Sequence, residues 1–161
     1  MLLPAPRADL SQGDICDGVA VCIPDGGQCA ARQARVIVLS HDCELDKPNE
    51  RGQFALAAEV RRADEIPKGT WLNIVAGNGW NALYLPGGAA FGDAFIDFGR
   101  IHRVQRAALD GAVTYGRRLA SLTDSAREAV VYALTSYFLH EDILPPIVPP
   151  AGNPPVTDPG A

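Results

Sequence analysis

Short β-type segments, separated by glycine- and proline-rich turns, fill most of the chain between residues 13 and 104. Val, Ile, Phe and Trp are frequent in these segments, and such spacing is typical of antiparallel sheets. The predicted strands are 13–24, 34–41, 54–60, 71–75, 80–85 and 94–104. We therefore expect a small barrel or sandwich in this part of the chain.

A different periodicity begins after Leu122. Val130, Ala133, Leu134, Tyr137 and Phe138 recur at helical spacing and share one helical face. Possible N-caps precede them, namely Thr123, Asp124 and Ser125. A shorter helix is predicted over 105–110. The fold class predicted from these patterns is α+β, a strand-rich barrel closed by a C-terminal amphipathic helix.

Composition excludes several classes of protein. Of the 161 residues, 47% are hydrophobic and 20% are charged, which argues against a wholly disordered chain. The apolar run 36–39 is too short to span a bilayer, and the first residues do not form a signal peptide. We therefore expect no membrane association and a cytoplasmic location, or a virion-associated one if the protein comes from a phage.

Seven prolines and one charged residue lie within residues 145–161. This composition predicts a polyproline-like or disordered tail, and its Pro-Pro pairs are potential ligands for an aromatic groove. The expected organisation is an N-terminal arm at 1–11, a barrel domain at 12–144 and a Pro-rich tail at 145–161.

The densest polar cluster, 40–44, directly follows the predicted strand over 34–41. If that strand continues, His41 and Cys43 project to one face, with Asp42 and Glu44 on the other. His41 and Cys43 are possible zinc ligands, with other cysteines completing the site. Alternatively, Cys43 is a nucleophile with a histidine as its base, or the cluster binds a partner. A purely structural role also stays open, in which the cysteines pack as small apolar residues.

The four cysteines are Cys16, Cys22, Cys29 and Cys43. In a reducing compartment thiols are favoured over disulfides, and we expect neither a metal nor another cofactor.

A basic cluster occupies 100–118, where five arginines and His102 accompany one aspartate. Arg100 and His102 alternate with Ile101 on a predicted strand, so both are expected on one surface. Such a patch suits phosphates or an acidic partner, although arginines on a solvated face need no ligand. The net charge of −5 opposes nonspecific nucleic-acid binding.

The order of these pieces resembles the PemK/MazF family of small SH3-like barrels with a C-terminal helix. The similar segments are QGDI at 12–15, RVIVLS at 35–40, FIDFGRIHRV at 95–104 and RLASLT at 118–123. This resemblance implies a homodimeric, metal-independent endoribonuclease that an antitoxin inhibits by occupying its RNA groove. Arg35 matches the family's catalytic arginine, whereas 54–59 lack the expected hydroxyl residue and add Glu59, a carboxylate that is expected to repel phosphate.

Cleavage of RNA without a metal needs proton-transfer groups and positive charge near the phosphate. The candidate catalytic residues are therefore Arg35, His41, Arg100 and His102, and the candidate binding residues are Asp42, Cys43, Glu44 and Arg103. Because the hydroxyl is missing, the first hypothesis is a non-catalytic protein-binding module in a prokaryotic or phage assembly or defence context. Its partner is another protein or a second copy of the chain. The alternatives are an endoribonuclease acting on single-stranded RNA and a zinc protein using His41 and Cys43.

Overall fold

The computed structural model describes residues 2–3, 6, 8–25, 28–46, 53–86 and 91–139. In this part of the chain six strands form one antiparallel sheet in the order β4-β5-β3-β2-β1-β6. The strands are β1 (Asp14–Asp25), β2 (Gln28–Val38), β3 (Phe54–Arg62), β4 (Ala82–Leu85), β5 (Ala94–Gln105) and β6 (Arg118–Ser121). The helices are α1 (Asp42–Leu45), α2 (Lys68–Val75), α3 (Arg106–Thr114) and α4 (Asp124–Leu139), and a 3₁₀ helix covers Ala63–Glu65.

The predicted α+β class is confirmed. The sheet is open, since β4 and β6 stand at its two ends and do not pair with each other in the described ranges. Closure into a barrel, as the sequence pattern predicts, is therefore not observed. Leu2 extends the β6 edge by a bridge to Leu122, and the Pro-rich tail lies outside the described residues.

Each face of the sheet carries its own apolar core. On one face Ile37, Ala58 and Ile96 pack in a cluster that includes Val130 and Ala133 of α4. On the other, Val36 and Ala57 belong to a cluster with Leu109 and Ala112 of α3. Neighbouring residues of β2 and β3 alternate between the two clusters because side chains along a strand point to opposite faces. The sheet is thus a central layer with a helix packed on each side.

The C-terminal helix agrees with its sequence pattern. It begins at Asp124, with Thr123 before it, and the Thr123 hydroxyl accepts a hydrogen bond from the Ala126 amide at 3.4 Å. Such a bond satisfies an amide that has no partner within the helix. Ala126, Val130 and Ala133 are buried at spacings of four and three residues, and Leu134 and Tyr137 are partly buried, as predicted for this face. Phe138, predicted to lie on the same face, is 64% exposed.

The strand predicted over 71–75 is wrong, because these residues belong to α2. A short apolar run fits either a strand or a helix by periodicity alone. Here Ile74 is buried, whereas Leu72 and Val75 are exposed. Pro67, immediately before the helix, is compatible with a helix start because the first amides of a helix need no internal acceptor.

The thiol expectation is wrong for Cys22 and Cys29, which form a disulfide across the β1–β2 hairpin. In the hairpin register Cys22 lies opposite Ala31, and Cys29 lies opposite Pro24. The cysteines are therefore diagonal neighbours with a Cα–Cα distance of 5.4 Å, which is within bonding range. Cys16 and Cys43 are free thiols.

Candidate functional site

A groove opens where β2 and β3 separate. β3 pairs only with the end of β2, Val36 to Val38. The preceding part of β2, residues 28–34, pairs with β1 alone as a two-stranded hairpin. The groove has a volume of about 220 Å³. It is lined by Asp17, Arg32, Gln33, Ala34, Arg35, Glu59, Val60, Arg61, Arg62 and Glu65. Four arginines and three carboxylates therefore surround one concave surface.

Glu59 lies at the inner wall of the groove and is only 3% exposed. Its Oε1 atom accepts a hydrogen bond from Arg32 and lies 2.8 Å from Nε2 of His102. Its Oε2 atom lies 3.5 Å from Nη1 of Arg100. A buried carboxylate without such partners costs several kcal/mol, so these side chains compensate for its removal from water.

The charge state of Glu59 follows from these contacts. Burial by itself raises the pKa of the carboxyl group, but hydrogen bonds from Arg32 and His102 and the charges of Arg32 and Arg100 outweigh it. The pKa of Glu59 is therefore below its ordinary value, and the group is a carboxylate at neutral pH. Because a carboxylate only accepts hydrogen bonds, the Nε2 atom of His102 is the donor in this pair. In the uncharged tautomer that donates through Nε2, Nδ1 is the acceptor atom.

An irregularity in β5 brings Arg100 and His102 to the same carboxylate. Glu59 pairs with Asp97, yet the preceding residue, Ala58, pairs with Ile101. Three residues, 98–100, are thus inserted on the β5 side, which bends the strand at this point. At the bend the Asp97 carboxylate accepts a hydrogen bond from the Gly99 amide at 3.0 Å.

Arg100 is held between two carboxylates. Its Nε atom lies 3.5 Å from Asp97, and its Nη1 atom lies at the same distance from Glu59. Asp97 also forms an ion pair with Arg61 at 3.2 Å. The side chains of Arg100 and Arg32 are 47% and 40% exposed, so both guanidinium groups also face solvent. Partly hydrated guanidinium groups of this kind suit oxyanions such as phosphate, to which the planar guanidinium can donate two parallel hydrogen bonds.

The predicted catalytic residues separate into two places. Arg100 and His102 meet at Glu59, and Arg35 lines the same groove, where it pairs with Asp17 at 3.5 Å. His41 does not join them, since it forms the N-cap of α1. Arg103, the residue after His102, places its guanidinium 3.9 Å from the centre of the Phe54 ring. Since successive side chains alternate along a strand, Arg103 and His102 serve different faces of β5.

The segment from Ser40 to Glu44 is a turn and not the continuing strand that the pattern predicts. β2 ends at Val38, and α1 begins at Asp42. Ser40 accepts a hydrogen bond from the Leu56 amide at 2.8 Å. Asp42 accepts one from the Gln12 amide at 2.6 Å and one from Arg127 at 3.1 Å. These two side chains therefore anchor the turn to neighbouring elements.

His41 and Cys43 do come close within this turn. Nδ1 of His41 lies 3.2 Å from the Cys43 sulfur and accepts a hydrogen bond from the Cys43 amide, also at 3.2 Å. Glu44, another predicted binding residue, is exposed. Within the described ranges no group of three or more His, Cys, Asp or Glu side chains is arranged to hold a metal ion.

The other cysteines are not assembled with His41 and Cys43. Cys22 and Cys29 are bonded to each other. Cys16 is buried, and burial together with the nearby Asp14 carboxylate raises the pKa of its thiol to about 12. A zinc ligand must be a thiolate, so Cys16 is poorly suited to that role.

Of the residues that line the groove, sequence reasoning selected only Arg35, and it missed Arg32 and the role of Glu59. It also missed Asp97, which pairs with Arg100. Glu59 was interpreted only as a carboxylate that repels phosphate, an inference that assumes an unpaired charge. The structure surrounds this charge with cationic partners. A signal was present in the sequence, since Glu59 is the only charged residue in the otherwise apolar stretch 54–60. A lone charge in a buried strand needs partners, which marks it for closer inspection.

No protein-family model matches this chain, and no curated protein matches it either. Function is therefore inferred from the geometry of the groove and the residues that surround it. One further finding concerns membranes: none of the helices in the described part of the chain is long and apolar enough to cross a bilayer.

Proposed function

We propose that the protein is a metal-independent endoribonuclease that cleaves single-stranded RNA in the groove between β2 and β3. The observation that carries this proposal is the hydrogen bond between Glu59 and His102 beside Arg32 and Arg100. The resemblance of the sequence to the PemK/MazF family adds support. The catalytic groups proposed here differ from the family's arginine and hydroxyl pair.

Substrate binding depends on the arginines of the groove. The Arg100, Arg32 and Arg35 side chains are 47%, 40% and 20% exposed. Within this proposal, the N–H groups that do not contact a carboxylate donate charge-assisted hydrogen bonds to the RNA phosphates. Because each arginine already has a carboxylate partner, the net field in the groove is modest. We therefore expect binding that is specific to the groove and sensitive to salt.

The chemical step uses His102 as the general base. Its Nδ1 atom takes the proton from a ribose 2′-hydroxyl, while Glu59 holds the ring through Nε2 and stabilises the imidazolium that forms. The 2′-oxygen attacks the adjacent phosphorus, and the bond from phosphorus to the 5′-oxygen breaks. The leaving oxygen receives a proton from water. The products are a 2′,3′-cyclic phosphate and a free 5′-hydroxyl.

Arg100 and Arg32 stabilise the additional negative charge on phosphorus during this step. Removal of one electrostatic donor of this type lowers the rate about 10²–10³-fold. General base catalysis contributes about 10²–10⁴-fold. Arg35 contacts Asp17 and the face of the Phe91 ring, whereas Arg32 and Arg100 contact Glu59. Within this proposal Arg35 therefore binds a neighbouring phosphate.

The test is incubation of the full chain with a long mixed-sequence single-stranded RNA in the presence of a chelator, with the ends mapped by primer extension. We expect discrete cuts, and a cleavage rate about 10²–10⁴-fold lower in His102→Ala. Arg103→Ala is the matched control because Arg103 is the next residue on the same strand but contacts Phe54 outside the groove. Intact RNA at protein excess would overturn the proposal, as would equal cleavage by His102→Ala and the wild type.

A second candidate function is the non-catalytic protein-binding module predicted from the sequence. The observation that favours it is a surface patch formed by Leu56, Phe54 and Arg103. Leu56 is 50% exposed and lies opposite Arg103 on the sheet. Phe54 is half-buried beside Arg103. Apolar and aromatic side chains next to an arginine are typical of protein interfaces.

The partner proposed for this patch is a second copy of the chain. Intact RNA together with a concentration-dependent dimer in analytical ultracentrifugation, abolished by Leu56→Asp, would favour this candidate over the nuclease. Sedimentation that is identical for the wild type and Leu56→Asp would exclude dimerisation through the patch.

A further inference from the structure

A second exposed surface lies at the end of α4, and none of its residues lines the groove. It consists of Trp80, Tyr137 and Phe138, and we call it the aromatic patch. The Trp80 and Tyr137 rings are stacked, with 5.5 Å between their centres and an angle of 14° between their planes. The Phe138 ring packs edge-on against Tyr137 at 5.3 Å. Trp80 and Phe138 are 62% and 64% exposed, respectively.

The aromatic patch is held in place by the core. Tyr137 is partly buried and packs against Phe98, which is 1% exposed, with 6.0 Å between the ring centres. Stacking on Tyr137 in turn restrains Trp80, so the patch presents a preorganised apolar face. A preorganised surface binds a ligand with less loss of conformational entropy than a mobile one.

The chain itself supplies a segment suited to such a face. The described residues end at Leu139, one residue after Phe138, and seven prolines follow within 145–161. Only one charged residue, Asp158, lies in that stretch. The five residues from 140 to 144 span roughly 17 Å when fully extended, which is enough to return to the last turns of α4.

We propose that the aromatic patch binds the chain's own proline-rich segment, centred on residues 145–150, in a polyproline II conformation. Proline-rich segments bind between aromatic rings because their backbone is already extended and little entropy is lost on binding. Ile147 and Val148 add apolar surface between the two proline pairs. This inference is independent of the nuclease proposal.

The covalent connection favours this segment over a second copy of the chain. A short linker keeps an attached ligand at an effective concentration in the millimolar range. Even weak contacts with the rings then give high occupancy within one molecule. A separate chain at micromolar concentration would need far stronger contacts to compete.

The test follows the indole N–H signals of the two tryptophans in ¹H–¹⁵N NMR spectra of the full chain. The comparison is between the wild type and a variant with Pro145, Pro146, Pro149 and Pro150 replaced by Ala. We expect the Trp80 signal to move by more than its linewidth. Trp71 is the internal control, because it packs against Tyr84 and Phe95 elsewhere in the structure. Pro159→Ala is the matched substitution outside the proposed contact, and it should leave both signals unchanged.

Addition of a synthetic peptide with the sequence of residues 143–152 to the four-proline variant should return the Trp80 signal toward its wild-type position. Trp80→Phe, added to the four-proline variant, removes the Trp80 indole signal, and the backbone amide signal of Tyr137 is followed instead. The same peptide should leave that Tyr137 signal unchanged. An unchanged Trp80 signal in the four-proline variant would overturn the proposal. A shift that appears only as protein concentration rises, together with a dimer in sedimentation, would also overturn it and assign the surface to a second copy.

Discussion

Three carboxylates in the described part of the chain are buried and pair with arginine, namely Asp14, Glu59 and Asp97. Asp14 and Glu59 differ in how far their arginine partners are exposed to solvent. Asp14 is fully buried and accepts hydrogen bonds from the Ser11 amide at 3.0 Å, from the Ser121 hydroxyl and from Arg118 at 3.1 Å. Glu59 has comparable burial, but its partners Arg32 and Arg100 are 40% and 47% exposed.

The arginines themselves show what this difference means. Arg118 is only 11% exposed in its side chain, and it also donates to the carbonyl oxygens of Asp9 and Ala8. Its hydrogen-bonding capacity is therefore directed into the protein. Arg32 and Arg100 border the groove and keep donors at its surface. The same carboxylate–arginine chemistry thus serves folding at Asp14 and is available to a ligand at Glu59.

The largest effect on stability is expected from Arg118→Met. This change leaves the Asp14 carboxylate buried with no cationic partner, and removal of one member of a buried ion pair costs about 3–5 kcal/mol. The measurement is the free energy of unfolding from urea denaturation. Arg62→Met is the control, because the Arg62–Asp64 pair is largely exposed and should contribute less than about 1 kcal/mol. Equal losses of stability in the two variants would contradict the view that the buried Asp14–Arg118 pair contributes more than an exposed pair.

A smaller, pH-dependent effect is expected from Glu59→Gln. The pKa of Glu59 is lowered in the folded protein, so its contribution to stability is present above its ordinary value near 4.5 and is lost as the pH falls below it. The wild type should therefore lose more stability than Glu59→Gln between pH 6 and pH 3. The effect is limited because water reaches Arg32 and Arg100. Thermal unfolding across this pH range measures the difference, and parallel curves for the two proteins would refute the assigned charge state.

The smallest expected effect concerns the solvent accessibility of the two free thiols, which alkylation measures. Cys43 is exposed, whereas Cys16 lies buried beside Asp14, with its pKa raised to about 12. Iodoacetamide should therefore modify Cys43 rapidly in the folded wild type, and Cys16 only after local unfolding around Asp14. Mass spectrometry of proteolytic peptides gives both rates. Arg118→Met should accelerate modification of Cys16 without changing that of Cys43, and rapid labelling of Cys16 in the wild type would show that the Asp14 region is not closed.

Local patterns predicted much of the architecture. The apolar spacing through Val130 and Ala133 predicted the C-terminal helix, and alternating β-branched residues predicted five of the six strands approximately. The strand β6 was not predicted because four residues carry little periodicity. The segment 71–75 was assigned incorrectly because an apolar run of that length satisfies both periods.

Part of the candidate site was also predictable. Arg100 and His102 were selected because they alternate on one strand, and Arg35 because of the family resemblance. Glu59 was assigned the wrong electrostatic effect, since its three partners are not adjacent to it in the sequence. His41 and Cys43 were placed on one strand face, whereas the turn at α1 brings them together in a different way.

What the sequence determined by itself is the α+β class, the positions of most strands and the amphipathic helix α4. These depend on interactions between residues a few positions apart. Only the tertiary structure decided that Glu59 meets Arg32 and His102, which are 27 and 43 residues away. That meeting depends on strand order, on the register between β3 and β5 and on the irregularity at 98–100. A shift of one residue in that register would turn these side chains to the opposite face of the sheet.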